Sequence, residues 1–213
     1  MKRLLWSAGL LLLCGSCSPA EEFDRGVAAY EQGRYQEANR VFSACLKQHE
    51  RVSEALFYKG RSLYELNERD SLPAAVTAYR ALLVQETGHD TALVYRALEH
   101  LGHAYYRLER YPKAFDSFYL TALGKPNTKA INFNLGVCLL ALDRPGEASQ
   151  YLLRECQRGE ASAPALAALA EAYLRSQRPD SARFYLQQTL RQYPAYAPAV
   201  ALQQELDSLT KNR

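Results

Sequence analysis

Two histidines stand three positions apart, at His100 and His103, in a stretch that favours helix. Residues at this spacing share one helical face, so both imidazoles and the neighbouring Glu99 could approach one metal ion. The pattern lacks the further spaced His or Cys that would complete a zinc site. We therefore interpret His103 as a polar surface residue and predict neither a metal site nor a cofactor.

Other residue patterns that carry catalysis are missing from the 213 residues. The sequence contains no Gly-rich phosphate loop, no nucleophile elbow and no H-E-x-x-H motif. The formal net charge is +3, without a run of Lys or Arg, which gives no electrostatic footprint for nucleic acid. We expect a non-enzymatic protein that does not bind nucleic acid.

The N-terminal segment has the features of a targeting sequence. Lys2 and Arg3 give it a positive start, and an apolar run of ten residues, 4–13, is too short to span a bilayer. Two small residues, Gly15 and Ser16, then precede Cys17. This order of features predicts an exported protein.

A small residue before a Cys at the end of such a run resembles a bacterial lipoprotein leader. The resemblance implies a signal peptide at 1–16, acylation of Cys17 and a lipid-anchored tether at 17–21. Cys14 departs from the family pattern, which prefers Leu there, and an ordinary secretory leader is the alternative. In that family Ser18, rather than Asp, favours the outer membrane of a Gram-negative bacterium. We expect the periplasmic face rather than the cell surface.

The elements that would position the polar residues come from a repeated pattern. Residues 98–118 read Leu-x-x-Leu-Gly-x-x-Tyr and, after a gap, Ala-x-x-x-Phe. A small residue marks each half of this pattern, and most steps between equivalent marks are 34 residues. The first marks are Gly26, Gly60, Gly102, Gly136 and Ala170, and the second marks are Ala38, Ala75, Ala114, Ala148 and Ala182.

This pattern resembles the tetratricopeptide repeat family, whose 34-residue helix–turn–helix signature is W-x₂-L-G-x₂-Y followed by A-x₃-F. Only the leading Trp is replaced, by Leu98. The resemblance implies an all-α, right-handed α-solenoid with a C-terminal capping helix. The register divides 22–209 into five repeats and the cap. The repeats lie at about 22–50, 53–87, 90–124, 129–158 and 163–194, the capping helix at 197–209 and a tail at 210–213.

Two irregularities interrupt the period. The second marks at Ala38 and Ala75 are 37 residues apart, so three extra residues are predicted between the helices of the second repeat, around 70–72. A further five residues in excess of the 34-residue period lie between Ala75 and Gly102. They are predicted to lengthen the first helix of the third repeat at its start, over 91–108.

In the tetratricopeptide family, first helices line a concave groove that binds partner proteins. The groove positions, carried over by their offsets from each mark, are aromatic with mixed charge. They are Tyr30, Tyr58, Arg61, Tyr64, Glu65, His100, His103, Tyr106, Arg107, Asn134, Glu171 and Arg175. Alternatively, the tyrosines fill space between adjacent first helices. The family variant that grips a C-terminal carboxylate is excluded, because Val27 and Val137 stand where it needs Asn.

Two cysteines, Cys138 and Cys156, fall on the paired helices of the fourth predicted repeat. They could form a disulfide in an oxidising envelope, or they could be small buried hydrophobic residues. Cys45 lies three repeats away and cannot reach them.

Together these features predict a lipid-anchored adaptor that holds other envelope proteins in an assembly, secretion or proteolysis complex. The alternative is an outer-membrane lipoprotein that captures a glycan or peptide. Proteins of that kind carry long inserted loops, whereas the insertions here are three and five residues. The sequence leaves open whether the chain forms a homodimer.

Overall fold

The computed structural model describes residues 19–66, 68, 70–86, 91–159 and 161–211. This part of the chain folds into eleven α-helices and contains no strand. The predicted signal peptide and Cys17, the predicted acylation site, lie outside the described residues. The helices are α1 (Pro19–Glu31), α2 (Tyr35–Lys47), α3 (Val52–Leu66), α4 (Ser71–Gln85), α5 (Thr91–Arg107), α6 (Tyr111–Gly124), α7 (Ile131–Ala141), α8 (Pro145–Gln157), α9 (Ala163–Arg175), α10 (Pro179–Gln192) and α11 (Ala197–Lys211).

Each helix packs against the next one along the chain, which makes five helix pairs followed by α11. First helices also touch across pairs: α1 contacts α3, α3 contacts α5, and α7 contacts α9. This arrangement confirms the predicted solenoid, in which each repeat contacts its neighbours. None of the described helices is both long enough and apolar enough to cross a lipid bilayer.

The Gly marks lie where the two helices of a pair approach most closely. A Cβ atom built on each of the four Gly marks would lie only 2.5 to 2.8 Å from a side chain of the second helix. The pairs are Gly26 with Phe42, Gly60 with Tyr79, Gly102 with Phe118 and Gly136 with Leu152. These four side chains are almost completely buried. The period in the sequence therefore records a repeated steric requirement.

Four turns between paired helices share one backbone conformation. The residue seven positions after the first mark has a positive φ, at Gly33 (74°), Glu109 (57°), Asp143 (56°) and Gln177 (59°). An Arg follows each of them, and its N–H bonds back to the first helix, as from Arg110 to the Tyr105 carbonyl at 2.9 Å. These bonds satisfy carbonyl groups that a helix end leaves without partners.

The prolines Pro112, Pro145 and Pro179 lie in the first turn of α6, α8 and α10. Each opens a second helix, where a missing N–H costs no helical hydrogen bond.

The predicted lengthening of the third repeat is confirmed. Helix α5 has 17 residues, more than any other described helix, and it begins at Thr91. The three extra residues of the second repeat are placed differently from the prediction. Ser71 already belongs to α4, so the turn after α3 gains one residue and each flanking helix gains one. An added residue within a helix keeps its backbone hydrogen-bonded, which a longer loop would not.

The cysteines are free thiols in the described part of the chain. Burial raises the pKa of Cys138 to about 12 and that of Cys156 to about 11. Both thiols are therefore protonated near neutral pH, in keeping with the interpretation as small hydrophobic residues.

Helix α11 covers the last repeat only in part. It packs against α9 and α10, and Ala199 and Leu206 are fully buried. Two other apolar residues of this helix, Val200 and Leu209, are 37% and 51% exposed. Helix α11 therefore buries only part of its apolar surface, because only one side of it packs against the fifth repeat.

We expect Gly102→Ala to lower the free energy of unfolding by up to about 2 kcal/mol. Overpacking against Phe118 costs about 1–3 kcal/mol, which exceeds the gain in helix propensity of about 1 kcal/mol. The matched control is Gly146→Ala in α8, where an added Cβ meets nothing within 4 Å. Urea unfolding followed by circular dichroism measures both variants. Equal stabilities for the two variants would contradict the steric role of the mark.

Candidate partner-binding groove

The predicted groove residues lie on the first helices α1, α3, α5, α7 and α9, but they are exposed to different degrees. Glu65, Tyr106, Arg107 and Arg175 are exposed, whereas most of the others are half-buried. Asn134 is only 8% exposed, so the structure does not present it to a partner as the sequence predicted. Its position, two residues before the mark, faces the joint between adjacent first helices.

The tyrosines of the first two repeats mainly fill space. The rings of Tyr30 and Tyr58 meet edge to face with centroids 5.9 Å apart, and Tyr58 also stacks on Phe42 at 5.4 Å. These contacts join α1 and α2 to α3 and favour the alternative interpretation for both residues. Tyr106, in contrast, packs one edge on Tyr111 and remains 36% exposed, so it can still contact a partner.

The two histidines pack against different aromatic rings. His100 lies edge-on to Phe57 at 5.5 Å and stacks on Tyr79 at 6.0 Å, while His103 lies edge-on to Phe118 at 5.0 Å. Burial, together with the nearby charges of Arg61, His103 and Arg96, lowers the pKa of His100 to about 4. Burial also lowers the pKa of His103. Across the described ranges, no group of three or more His, Cys, Asp or Glu side chains could hold a metal ion.

Arginines of the first helices reach back to the preceding repeat. Arg107 Nη1 donates to the Tyr64 carbonyl at 3.1 Å, and its guanidinium lies 4.6 Å from the centre of the Tyr64 ring. Arg175 forms ion pairs with Asp143 at 2.8 Å and with Glu171 at 3.1 Å. Exposed pairs of this kind stabilise by about 0.2–1 kcal/mol each. Their side chains also give the groove a polar surface.

Sequence reasoning missed two residues of this surface, Arg96 and Tyr79. The Arg96 guanidinium lies 4.5 Å from the centre of the buried Phe57 ring, and that of Arg61 lies 5.7 Å from the same ring. Tyr79 occupies a position in α4 that holds Phe or Leu in the other repeats: Phe42, Phe118, Leu152 and Leu186. Its hydroxyl group was therefore visible in the sequence as an exception at a core position.

A cleft of about 470 Å³ lies at the C-terminal end of the groove. It contains two predicted residues, Glu171 and Arg175, together with apolar residues that were not predicted. Among the latter are Phe133, Leu174, Tyr196 and Leu202. The shape of the cleft depends on how α11 packs against α9, and the spacing of the repeats does not predict that packing.

Comparison with known proteins agrees with this fold. Family models described as tetratricopeptide repeat match residues 23–71, 68–127 and 165–196, which together are more than half of the chain. The chain belongs to the tetratricopeptide repeat family. No curated protein matches it in sequence.

Solved structures share its fold at low sequence identity. MamA is 17% identical with a TM-score of 0.73, covering 84% of this chain and 93% of MamA. Pseudomonas aeruginosa PilF is 18% identical with a TM-score of 0.72, covering 89% and 82%. YrrB, described as a tetratricopeptide protein with an unusual peptide-binding site, is 14% identical with a TM-score of 0.76, covering 89% and 94%.

The buried His100 predicts a specific loss of stability in mild acid. A histidine with a folded pKa of about 4 and an unfolded pKa near 6.5 stabilises the fold fully above pH 6.5. This stability is lost as the pH falls from about 6.5 to 4, by about 2 to 3 kcal/mol, because the unfolded chain takes up the proton first.

Thermal unfolding between pH 7.5 and pH 4 measures this loss. His100→Phe retains the ring contacts and should make the melting temperature depend less on pH. The control His49→Gln, at an exposed residue, should leave the pH dependence of the melting temperature unchanged. Wild type and His100→Phe with the same pH dependence would show that His100 is not responsible.

Proposed function

We propose that this protein is a non-enzymatic adaptor, lipid-anchored in the envelope of a Gram-negative bacterium, that binds partner proteins in its concave groove. The tetratricopeptide fold itself supports a role in protein–protein interaction. The observation that carries the proposal further is the set of exposed aromatic and charged side chains on the first helices, including Tyr106 and Arg107. Tyr and Arg are enriched at the energetic centres of interfaces.

The lengths of the connections support an adaptor over a ligand-capturing lipoprotein. Successive helices are joined by three to six residues, as their boundaries show. Loops that short cannot fold over a glycan, so binding falls to the helix surfaces. The peptide-binding site named for YrrB is a precedent for a peptide bound by this fold. We expect the partner to act in an envelope assembly, secretion or proteolysis complex.

The proposed anchor is tested by metabolic labelling with an alkyne fatty acid. Wild-type protein should be labelled and fractionate with the outer membrane, because two or three acyl chains anchor stably. Cys17→Ser should lose the label and remain uncleaved. The matched control Cys14→Ser should retain it. An unlabelled, cleaved wild-type protein would establish the ordinary secretory leader instead.

The groove is tested by cross-linking in cells and affinity purification from membranes. We expect the double variant Tyr106→Ser/Arg107→Gln to lose its specific partners at least tenfold, since truncating interface anchors costs about 2 kcal/mol or more. The control Tyr119→Ser/Arg154→Gln changes the same residue types on the outer helices α6 and α8, where both are exposed. If the control variant recovers less partner protein and the groove variant recovers the wild-type amount, the partner binds to the outer face instead.

A further inference from the structure

The hydroxyl group of Tyr79 is buried without a hydrogen bond. The residue is fully shielded from solvent, and its Oη atom has no partner in the described part of the chain. Leaving such a group unpaired lowers stability relative to the Phe found at equivalent positions, because the hydroxyl loses its hydrogen bonds to water on burial. A residue that lowers stability in the core requires a reason beyond packing.

The surroundings of this hydroxyl indicate that it is directed to the groove. Burial raises the pKa of Tyr79, and the positive charge of Arg61 opposes that rise. The other groups that influence it are Tyr30, Tyr64 and Glu65. All four lie on the first helices α1 and α3, although Tyr79 itself belongs to the second helix α4. The Tyr79 ring packs beneath the first helix α3, where a Cβ atom built on Gly60 would lie 2.6 to 2.9 Å from it, so its hydroxyl group lies under the groove helices rather than on the outer face.

Arg61 presents a second unpaired donor at the same place. Its Nε atom is buried and has no hydrogen-bond partner among the described residues. The guanidinium is held over the Tyr30 ring, 4.4 Å from its centre. A rotation of the Arg61 side chain away from the Tyr30 ring would turn Nε toward the groove, and the influence of the Arg61 charge on Tyr79 shows that the two groups are neighbours.

Arg96 completes a basic cluster, which we define as Arg61 and Arg96 beside the Phe57 ring. His100 packs on the same ring but adds no positive charge near neutral pH, because its pKa is about 4. Among the described residues, neither Arg61 nor Arg96 forms an ion pair. Arg61 lies over the Tyr30 ring and is hydrogen-bonded to that residue, and Arg96 lies near enough to Glu99 to influence its pKa. Both guanidinium groups therefore remain available to an ion-pair partner from outside the chain.

We propose that the basic cluster and the Tyr79 hydroxyl bind a carboxylate side chain of an acidic peptide segment lying across α3 and α5. Guanidinium groups and a phenol are all donors, and a carboxylate has two acceptor oxygens that can be shared between them. Arg96 is exposed and would meet the segment first. Arg61 and Tyr79 then bind the same carboxylate deeper in the groove. This inference rests on the proposed function, since it names the chemistry of a partner in the same groove.

The direct test is titration with a hexaglutamate peptide blocked at both ends, with blocked hexaglutamine as the control ligand. The blocked ends separate side-chain recognition from capture of a chain terminus. Binding is measured by calorimetry and by the NMR titration of the His100 imidazole. Hexaglutamate should bind and raise the pKa of His100, because a bound anion offsets the charges of Arg61 and Arg96. No difference between the two peptides would overturn the proposal.

Tyr79→Phe provides the sharpest variant, because two measurements should move in opposite directions. Without peptide it should raise the melting temperature, since the unpaired hydroxyl is gone. It should also weaken hexaglutamate binding by about tenfold, since a hydrogen bond to a charged group is lost. Unchanged binding with increased stability would exclude Tyr79 from the site. A lower melting temperature would show that the hydroxyl is satisfied in the free protein, as by a trapped water.

Arg61→Gln and Arg96→Gln should each weaken hexaglutamate binding by about tenfold or more. The control is Arg191→Gln, at an exposed residue of α10, which should not change binding. If the peptide binds all these variants equally while Tyr106→Ser/Arg107→Gln still loses its cellular partners, this site is wrong but the adaptor function stands. If neither test shows binding at the groove, the proposed function fails with it.

Discussion

The rest of the structure depends on the close contact between the two helices of each pair. At Gly26, Gly60, Gly102 and Gly136 the first helix has no Cβ, and a large side chain of the second helix fills that space. Because each contact sets the distance between paired helices, it also sets the angle at which the next pair can pack. An error at one joint would displace every later repeat. A solenoid distributes this requirement over equal units instead of one central core.

The same joints explain how the groove acquires its chemistry. Side chains of α3 and α5 meet at the rings of Phe57 and Tyr79, and the guanidinium groups of Arg61 and Arg96 lie near the Phe57 ring. Aromatic surfaces hold a guanidinium without neutralising it. The acidic partner proposed above would therefore meet two guanidinium groups that form no ion pair with the described residues. Packing and recognition share the same residues, so changes in this region affect both stability and binding.

Much of this was predictable from particular residues. The Gly and Ala marks established the helix pairs, and the 42 residues between Gly60 and Gly102 correctly placed extra length at the start of α5. The groove was predicted less completely. Asn134 is buried because its offset faces a joint, and Arg96 was not assigned because its contact is with Phe57 of the preceding repeat. The position of a residue relative to the Gly or Ala mark specifies the helical face on which it lies. Its burial depends instead on the side chains of the adjacent repeat that pack against it.

By itself, the sequence determined the helix pairs, their number and their period. Close packing of paired helices requires small residues at fixed intervals, and this spacing can be recognised in the sequence. It also determined the leader features that motivate the anchor. Only the tertiary structure decided which polar groups are left without partners. The hydroxyl of Tyr79 and Nε of Arg61 are unpaired because the neighbouring repeats surround them with rings rather than acceptors. That outcome depends on contacts between residues distant in the chain, which no local pattern records.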